Sequence, residues 1–282
     1  MSIADRRICV AVLRFPRFLQ KRGQGCPLKP ERARNDVLQQ LARDEPSVSS
    51  RLHEDLEPVA LERGAVLGPV RLPSEWVYFV ESGIVSLVAG TRNGNSVEVA
   101  LVGREGVAGI ADALGQQPLP YRLVVQLPGL AYRVPKRVIR EHILSCSALH
   151  ELLMDYSQRV MHQLAQSAVC NRFHTSVERL SRWLLLTAER AETNRFELTH
   201  EFAAQMVGAP RSAVSEAAAT LRNKGIIDYR RGVLTIRNPK RLQKVACECF
   251  EALAPSLSGR RGQSARWTKD AARAAKDGGE AR

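Results

Sequence analysis

Thiol pairs at metal-binding C-x-x-C spacing are missing from this sequence. Six cysteines, Cys9, Cys26, Cys146, Cys170, Cys247 and Cys249, are scattered along 282 residues with no C-x-x-C among them, the spacing that zinc ribbons and iron–sulfur sites ask for. They are expected to be free thiols of a reducing compartment rather than a disulfide framework. The one near pair, Cys247-Glu248-Cys249, reads as small residues of a terminal helix, so neither a metal nor another cofactor is expected. Long apolar runs are also absent. Runs such as Trp76 to Val80 and Trp183 to Leu186 fall far short of the roughly 18 to 20 residues that span a bilayer. The apolar patch near the start is broken by Arg14, Pro16 and Arg17 and lacks a clear small-residue cleavage site, which argues against a secretory signal. A cytoplasmic protein without membrane contact is expected. No P-loop, nucleophile elbow or HExxH pattern occurs, so nothing points to catalysis. Acid is the scarcer charge: 29 Asp and Glu stand against 42 Lys and Arg, a formal net charge of +13. That excess favours a polyanionic partner.

What is present divides the chain into five stretches. Residues 1–34 are basic and carry Gly23, Gly25, Pro27 and Pro30, the composition of a poorly ordered extension. Asn35 to Ala42 then looks like a short amphipathic helix with Val37, Leu38 and Leu41 on one side. From about Leu56 to Val134 the pattern is of short strands between turn signals: Ser82-Gly83, Asn93-Gly94-Asn95 and Pro128-Gly129, with Gly103, Gly106 and Gly109 in the next connection. Asn and Gly tolerate the positive φ that tight hairpins need, so an antiparallel barrel or roll is expected over residues 35–140. After Pro135 the period becomes helical. Leu149, Leu153, Tyr156, Val160 and Leu164 fall on one stripe of a long helix, 141–172. The stripe suits either the cover of the roll or a coiled-coil seam with a second subunit, and dimerisation is the preferred reading. A second helix is expected from Ser176 to Ala191, with Leu180, Trp183, Leu184 and Thr187 inward. The tail, 255–282, is rich in Arg, Lys, Ala and Gly and is expected to be disordered.

The informative stretch runs from Leu198 to Asn238, within a unit placed at 173–254. Thr199 suits the N-cap of a short helix ending near Val207. Gly208 supplies a tight turn, and Ala204 is small where two helices approach. Pro210 opens the second helix, Val214, Ala217 and Leu221 face back onto the first, and Gly225 ends it. Ile226-Ile227 begins a strand, Arg231-Gly232 turns it, and Val233 to Ile236 returns. Helix, glycine turn, helix and hairpin make a winged helix-turn-helix, whose second helix enters the major groove. Its outward side holds Arg211, Ser212, Ser215 and Glu216, the expected base contacts. Arg211 suits guanine and Glu216 a cytosine amino group. Thr199, His200, Arg222, Lys224, Arg230 and Arg231 are the expected contacts to the DNA backbone. The fold class that follows is α+β: an N-terminal antiparallel β-roll of double-stranded β-helix or jelly-roll type, a long dimerisation helix and a C-terminal winged helix-turn-helix.

These residues resemble the Crp-Fnr superfamily of bacterial transcription regulators over about Asn35 to Leu253. Val77 to Ala89 looks like the family's paired strands around a glycine turn, Leu101 to Gly109 like its next strand and glycine-rich turn, and Leu198 to Ile227 like its DNA-binding motif without gaps. The resemblance implies a homodimer on a palindromic operator in duplex DNA, with RNA polymerase a partner should the output be activation. It also marks departures. Members that bind cyclic AMP carry an acid for the ribose and an Arg-Ser or Arg-Ala pair for the phosphate. Here Ile110-Ala111 follows Gly109, and Leu119-Pro120 falls where the pair is expected, with Arg122 out of register. A roll that does not bind cyclic AMP is expected. Cys9 and Cys26 stand too far apart to resemble the iron–sulfur set of oxygen-sensing members. Glu216 stands where the best-known half-site readers carry Arg, which leaves the operator sequence open. The competing reading is a ligand-binding signalling module whose C-terminal domain contacts protein rather than DNA.

Overall fold

The computed structural model describes residues 33–70, 74–115 and 119–253. The basic tail expected at 255–282 lies outside the described residues, as does the N-terminal extension except for its last two members. Ala33 is buried, and Arg34 pairs with Glu192 at 2.8 Å.

Two short helices lead in, α1 (Asp36–Asp44) and α2 (Pro46–Glu54). Asn35 caps α1 through its side-chain oxygen, which accepts from the N–H groups of Val37 and Leu38. Its amide nitrogen donates to the carbonyls of Val80, Arg104 and Gly106. One fully buried polar side chain thus starts the helix and fastens it to the roll, with its hydrogen-bonding capacity used.

The roll is one antiparallel sheet of β1 (Glu57–Leu61), β2 (Val66–Gly68), β3 (Trp76–Gly90), β4 (Ser96–Val102), β5 (Val107–Ala108) and β6 (Tyr121–Pro135). The strands run in the order β1-β6-β3-β4, with β2 on β6 and β5 on β3. The Asn93-Gly94-Asn95 hairpin forms between β3 and β4, with Gly94 at φ +87° and the Thr91 N–H donating to Asn95. Ser82-Gly83 and Pro128-Gly129 do not form turns, contrary to expectation. They lie opposite one another inside two continuous 15-residue strands, where the register shifts between Val80 and Val85. A Cβ on Gly129 would fall 2.1 Å from the Ser82 carbonyl, and one on Gly83 2.6 Å from that of Leu127. Paired bulges let both long strands bend together, and only glycine permits the backbones to come that close.

Helix α3 (Ile110–Leu114) sits between β5 and β6, and α4 (Lys136–Ser145) leads into α5 (Ser147–Phe173), the long helix. Leu149, Leu153 and Tyr156 of the predicted seam are buried in the same hydrophobic cluster as the roll. Val160 and Leu164 are partly buried against that cluster. Leu149, Leu153 and Tyr156 therefore cover this chain's own roll and are not available to a partner, a correction to the dimer reading of those three residues, while Val160 and Leu164 stay partly exposed.

Beyond α5 come α6 (Ser176–Ala191), β7 (Arg195–Glu197), α7 (His200–Val207), α8 (Arg211–Asn223), β8 (Ile227–Arg230), β9 (Val233–Ile236), α9 (Pro239–Val245) and α10 (Cys249–Leu253). Thr175 and Glu178 form a capping box on α6, and the expected inward residues Leu180, Trp183, Leu184 and Thr187 are buried. A second hydrophobic cluster joins α6, α7, α8 and the wing to Ile84, Val88, Leu101 and Leu127 of the roll.

Candidate nucleic-acid interface

Local chemistry builds the motif. The Thr199 hydroxyl accepts from the Phe202 N–H at 3.1 Å and so caps α7. Gly208 ends that helix at φ +67°, a left-handed conformation that disfavours any Cβ. Pro210 is the N-cap of α8, one position ahead of where the sequence set it. Val214, Ala217 and Leu221 are buried on the inner face of α8, and Gly225 follows its end at φ +66°. The strands β8 and β9 pair from Ile227↔Ile236 to Arg230↔Val233. Arg231 and Gly232, at φ +51° and +78°, make the turn between them, the two positive φ values that a type I′ hairpin requires. The sequence reading missed β7, which pairs with β9; three residues are too few to show alternation.

The predicted base contacts separate by exposure. Arg211, Ser212 and Glu216 are exposed on the N-terminal half of α8, and Ser215 is half-buried. Arg211 reaches across the turn to Glu201 at 3.8 Å, both side chains remaining more than two-thirds exposed. Such a pair contributes little and leaves the guanidinium ready to change partner. The Ser215 hydroxyl is 3.0 Å from Nδ1 of His200, whose ring packs on Tyr229 with centroids 4.8 Å apart. The Nε2 atom of His200 is itself buried. His200 therefore clips α7, α8 and the wing together from inside the motif, which corrects its expected place on the DNA backbone. Of the remaining backbone candidates, Thr199, Arg222, Lys224, Arg230 and Arg231 are exposed. Arg230 lies 3.3 Å from Asp228, which also accepts from Arg237 at 2.9 Å. These two guanidinium groups hold the Asp228 carboxyl below its usual range.

The motif is docked on the roll. Gln205 of α7 donates to Ser96 at 2.6 Å, and a Cβ on Gly208 would meet Cγ2 of Val97 at 2.5 Å. Arg190 of α6 pairs with Glu105 at 2.8 Å, both buried. Arg179 donates to the carbonyls of Val207 and Gly208, the turn between the two helices.

The four cysteines among the described residues are free thiols. Cys247 and Cys249 do not simply fill a terminal helix, as expected of them. They converge with Cys170 and His174. The one cue in the sequence was Cys170 and His174 at one-turn spacing on a helix.

An exposed, basic helix-turn-helix on a β-roll is the arrangement of a transcription-regulator fold with a DNA-binding domain. The Crp-like helix-turn-helix domain family matches residues 178–245. The chain is 23% identical over 209 residues to a CRP-like cAMP-activated global transcriptional regulator of Mycobacterium tuberculosis, covering 72% of this chain and 93% of that protein. Its fold is similar to FixK2 from Bradyrhizobium japonicum, at TM-score 0.59 and 17% identity over 68% of this chain and 98% of that one. It is also similar to the c-di-GMP responsive global regulator CLP of Xanthomonas campestris, at TM-score 0.57 and 13% identity over 68% and 99%. Residues 178–245 are thus a Crp-like helix-turn-helix domain, and the fold around them is similar to that of Crp-Fnr regulators.

Proposed function

We propose that the protein is a homodimeric, sequence-specific regulator that reads a palindromic operator with α8, and whose roll does not bind cyclic AMP. The observation that carries the DNA reading is the exposed face of Arg211, Ser212 and Glu216 at the start of α8. In this reading Arg211 and Glu216 contact bases, Ser212 and Ser215 add hydrogen bonds, and Thr199, Arg222, Lys224, Arg230 and Arg231 hold phosphates. In this reading the protein works on chromosomal DNA, in the cytoplasm.

The dimer seam in this reading is the opposite side of α5 from the stripe first expected. Exposed residues Ser147, Glu151, Met154, Gln158, Met161, Ala165 and Ala168 recur at alternate spacings of four and three, the heptad pattern of a two-stranded coiled coil. Met154 and Met161 are 42% and 57% exposed. Two such subunits would set their recognition helices about one turn of DNA apart.

Three features support the exclusion of cyclic AMP. Ile110 is buried where the family places its sugar-binding segment. The nearby Asp112 carboxylate is already engaged, accepting from the Ser74 N–H at 2.7 Å and pairing with Lys136 at 3.3 Å. Tyr156 closes the space between helix and roll so tightly that a Cβ on Gly106 would sit 2.3 Å from its hydroxyl. Selection of bound fragments from genomic DNA tests the function directly. Enrichment of a two-fold symmetric sequence is expected, and sequence-blind, purely salt-sensitive binding would defeat the reading.

A further inference from the structure

Cys170 and His174 stand one turn apart at the end of α5, and Cys247 and Cys249 lie 77 and 75 residues further on, at the junction of α9 and α10. The chain brings one ligand atom of each to within 4.8 Å of all the others. The Cys170 and Cys247 sulfurs are 3.6 Å apart, and the Cys249 sulfur is 3.5 Å from Nδ1 of His174. A tetrahedral ion with Zn–S near 2.3 Å and Zn–N near 2.0–2.1 Å separates its ligand atoms by about 3.5–3.8 Å. The three cysteines are buried, at 0%, 5% and 0% exposure for Cys170, Cys247 and Cys249.

The surroundings are those of a metal site and not only of a thiol cluster. Nε2 of His174 lies 3.2 Å from the Glu248 carboxylate, a pairing that puts the proton on Nε2 and leaves Nδ1 bare for a metal. Gln166 donates to the Cys249 sulfur at 3.0 Å. Arg179 and Arg182 each hold a buried Nε without a hydrogen-bond partner, and both interact electrostatically with Cys170. Three thiolates and a neutral imidazole on a divalent ion leave one net negative charge, which these cations offset. Soft sulfur donors exclude calcium and magnesium. A cluster of several irons would spread its ligands wider than this. The four protein ligands complete a tetrahedron, so no position stays open for a reacting water.

We propose that Cys170, His174, Cys247 and Cys249 bind one Zn²⁺ in a closed structural site. His174 is the last residue before the Thr175 cap of α6, so the ion pins the bend between the long helix and the DNA-binding unit to that unit's C-terminal end. The assignment rests on sulfur and imidazole geometry and is independent of what the protein binds.

The test is elemental analysis of the full-length protein, purified without added metal, followed by exchange with Co²⁺. About one zinc per chain is expected, and the cobalt form should show the thiolate charge-transfer and ligand-field bands of tetrahedral sulfur coordination. Cys249→Ala should lose both. Because that variant could also lose its fold, Glu248→Gln serves as the second: its side chain is 73% exposed, and it should fold normally. Chelator competition should show zinc held about ten- to a hundredfold more weakly there. Stoichiometric iron, a metal-free chain carrying a Cys170–Cys247 disulfide, or full zinc content in Cys249→Ala would each overturn the assignment.

Discussion

Trp183 Nε1 donates to Glu98 Oε1 at 3.0 Å, joining α6 of the DNA-binding unit to β4 of the roll through two buried side chains. The other Glu98 oxygen is 2.6 Å from the Ser86 hydroxyl, which is also 2.9 Å from the Gln126 carbonyl oxygen. One hydroxyl proton cannot serve two acceptors. A protonated Glu98 resolves this by donating to Ser86, which then donates to Gln126, whose amide donates to Thr187 of α6 at 3.2 Å. Burial drives the same way, raising the Glu98 carboxyl to about 7 against the opposing pull of Ser86, Arg182, Arg190 and Trp183.

A pH dependence follows from that proton. The unfolded carboxyl titrates near 4.5 and the folded one near 7. In between, the folded chain holds a proton the unfolded chain has released, so stability falls as pH rises through this window and levels off above it. The gap corresponds to about 3 kcal/mol. Glu98→Gln keeps a donor for Ser86 and an acceptor for Trp183 without titrating. Melting temperature measured from pH 4.5 to 8 should flatten in the variant, with the gain largest at pH 8. An unaltered slope would mean that Glu98 is charged throughout.

The second bridge behaves differently. Glu105 and Arg190 pair at 2.8 Å with side chains 10% and 1% exposed, and Glu105 also accepts from the Gly103 N–H. Removing one partner strands a buried charge, at a cost of about 3–5 kcal/mol. Glu105→Ala should therefore lose that much in denaturant titration. The double variant Glu105→Ala with Arg190→Met should recover a large part, since no orphaned charge remains.

Much of this architecture is legible in the chain itself. Thr199, Gly208, Gly225 and Arg231-Gly232 mark the motif's ends because caps and positive-φ turns depend on neighbours a few residues away. The start of α6 follows from the capping pair Thr175 and Glu178, and its run from Leu180 to Ala188 is buried on all sides. Features that failed depend on distant partners. Ser82-Gly83 and Pro128-Gly129 carry turn chemistry, yet each is a bulge because the other lies opposite it. On α5, the stronger apolar stripe is claimed by the roll, and the weaker Met154–Met161 face is hard to see in the sequence because Gln158 separates its methionines and Glu151, Ala165 and Ala168 flank them. Cys247-Glu248-Cys249 has meaning only beside Cys170 and His174.

That assignment of faces on α5 separates two variants. Met161→Glu places a charge at the centre of the proposed seam while leaving the roll intact. Light scattering should show a shift to monomer, with operator affinity falling at least about tenfold, a loss near 1.4 kcal/mol. Leu153→Glu buries an unpaired carboxylate in the roll and should instead unfold it. If Met161→Glu stays dimeric, the seam lies elsewhere.

Gly208 is constrained twice. Its φ of +67° disfavours a side chain, by about 1–2 kcal/mol, and Val97 blocks the space a Cβ would take. Gly208→Ala should cost more than the backbone penalty alone. Adding Val97→Ala should return the excess but not the remainder. Thermal melts of the two variants check both parts.

Arg211 and Arg222 both carry charge on α8, but at opposite ends and with different consequences. Arg211 projects from the N-terminal turn, which in the proposed reading enters the groove first, whereas Arg222 lies near the end of the helix, where that reading puts the phosphates. Arg211→Ala should cost about 1–3 kcal/mol on the selected operator and relax preference at one base pair of each half-site. Arg222→Ala should weaken selected and unrelated duplexes alike, and lower the slope of log affinity against log salt by about 1 per half-site. Binding isotherms at several salt concentrations on both duplexes distinguish the two. If Arg211→Ala weakened both sequences equally, its guanidinium would be a phosphate contact, and the reading of bases would fall to Ser212 and Glu216.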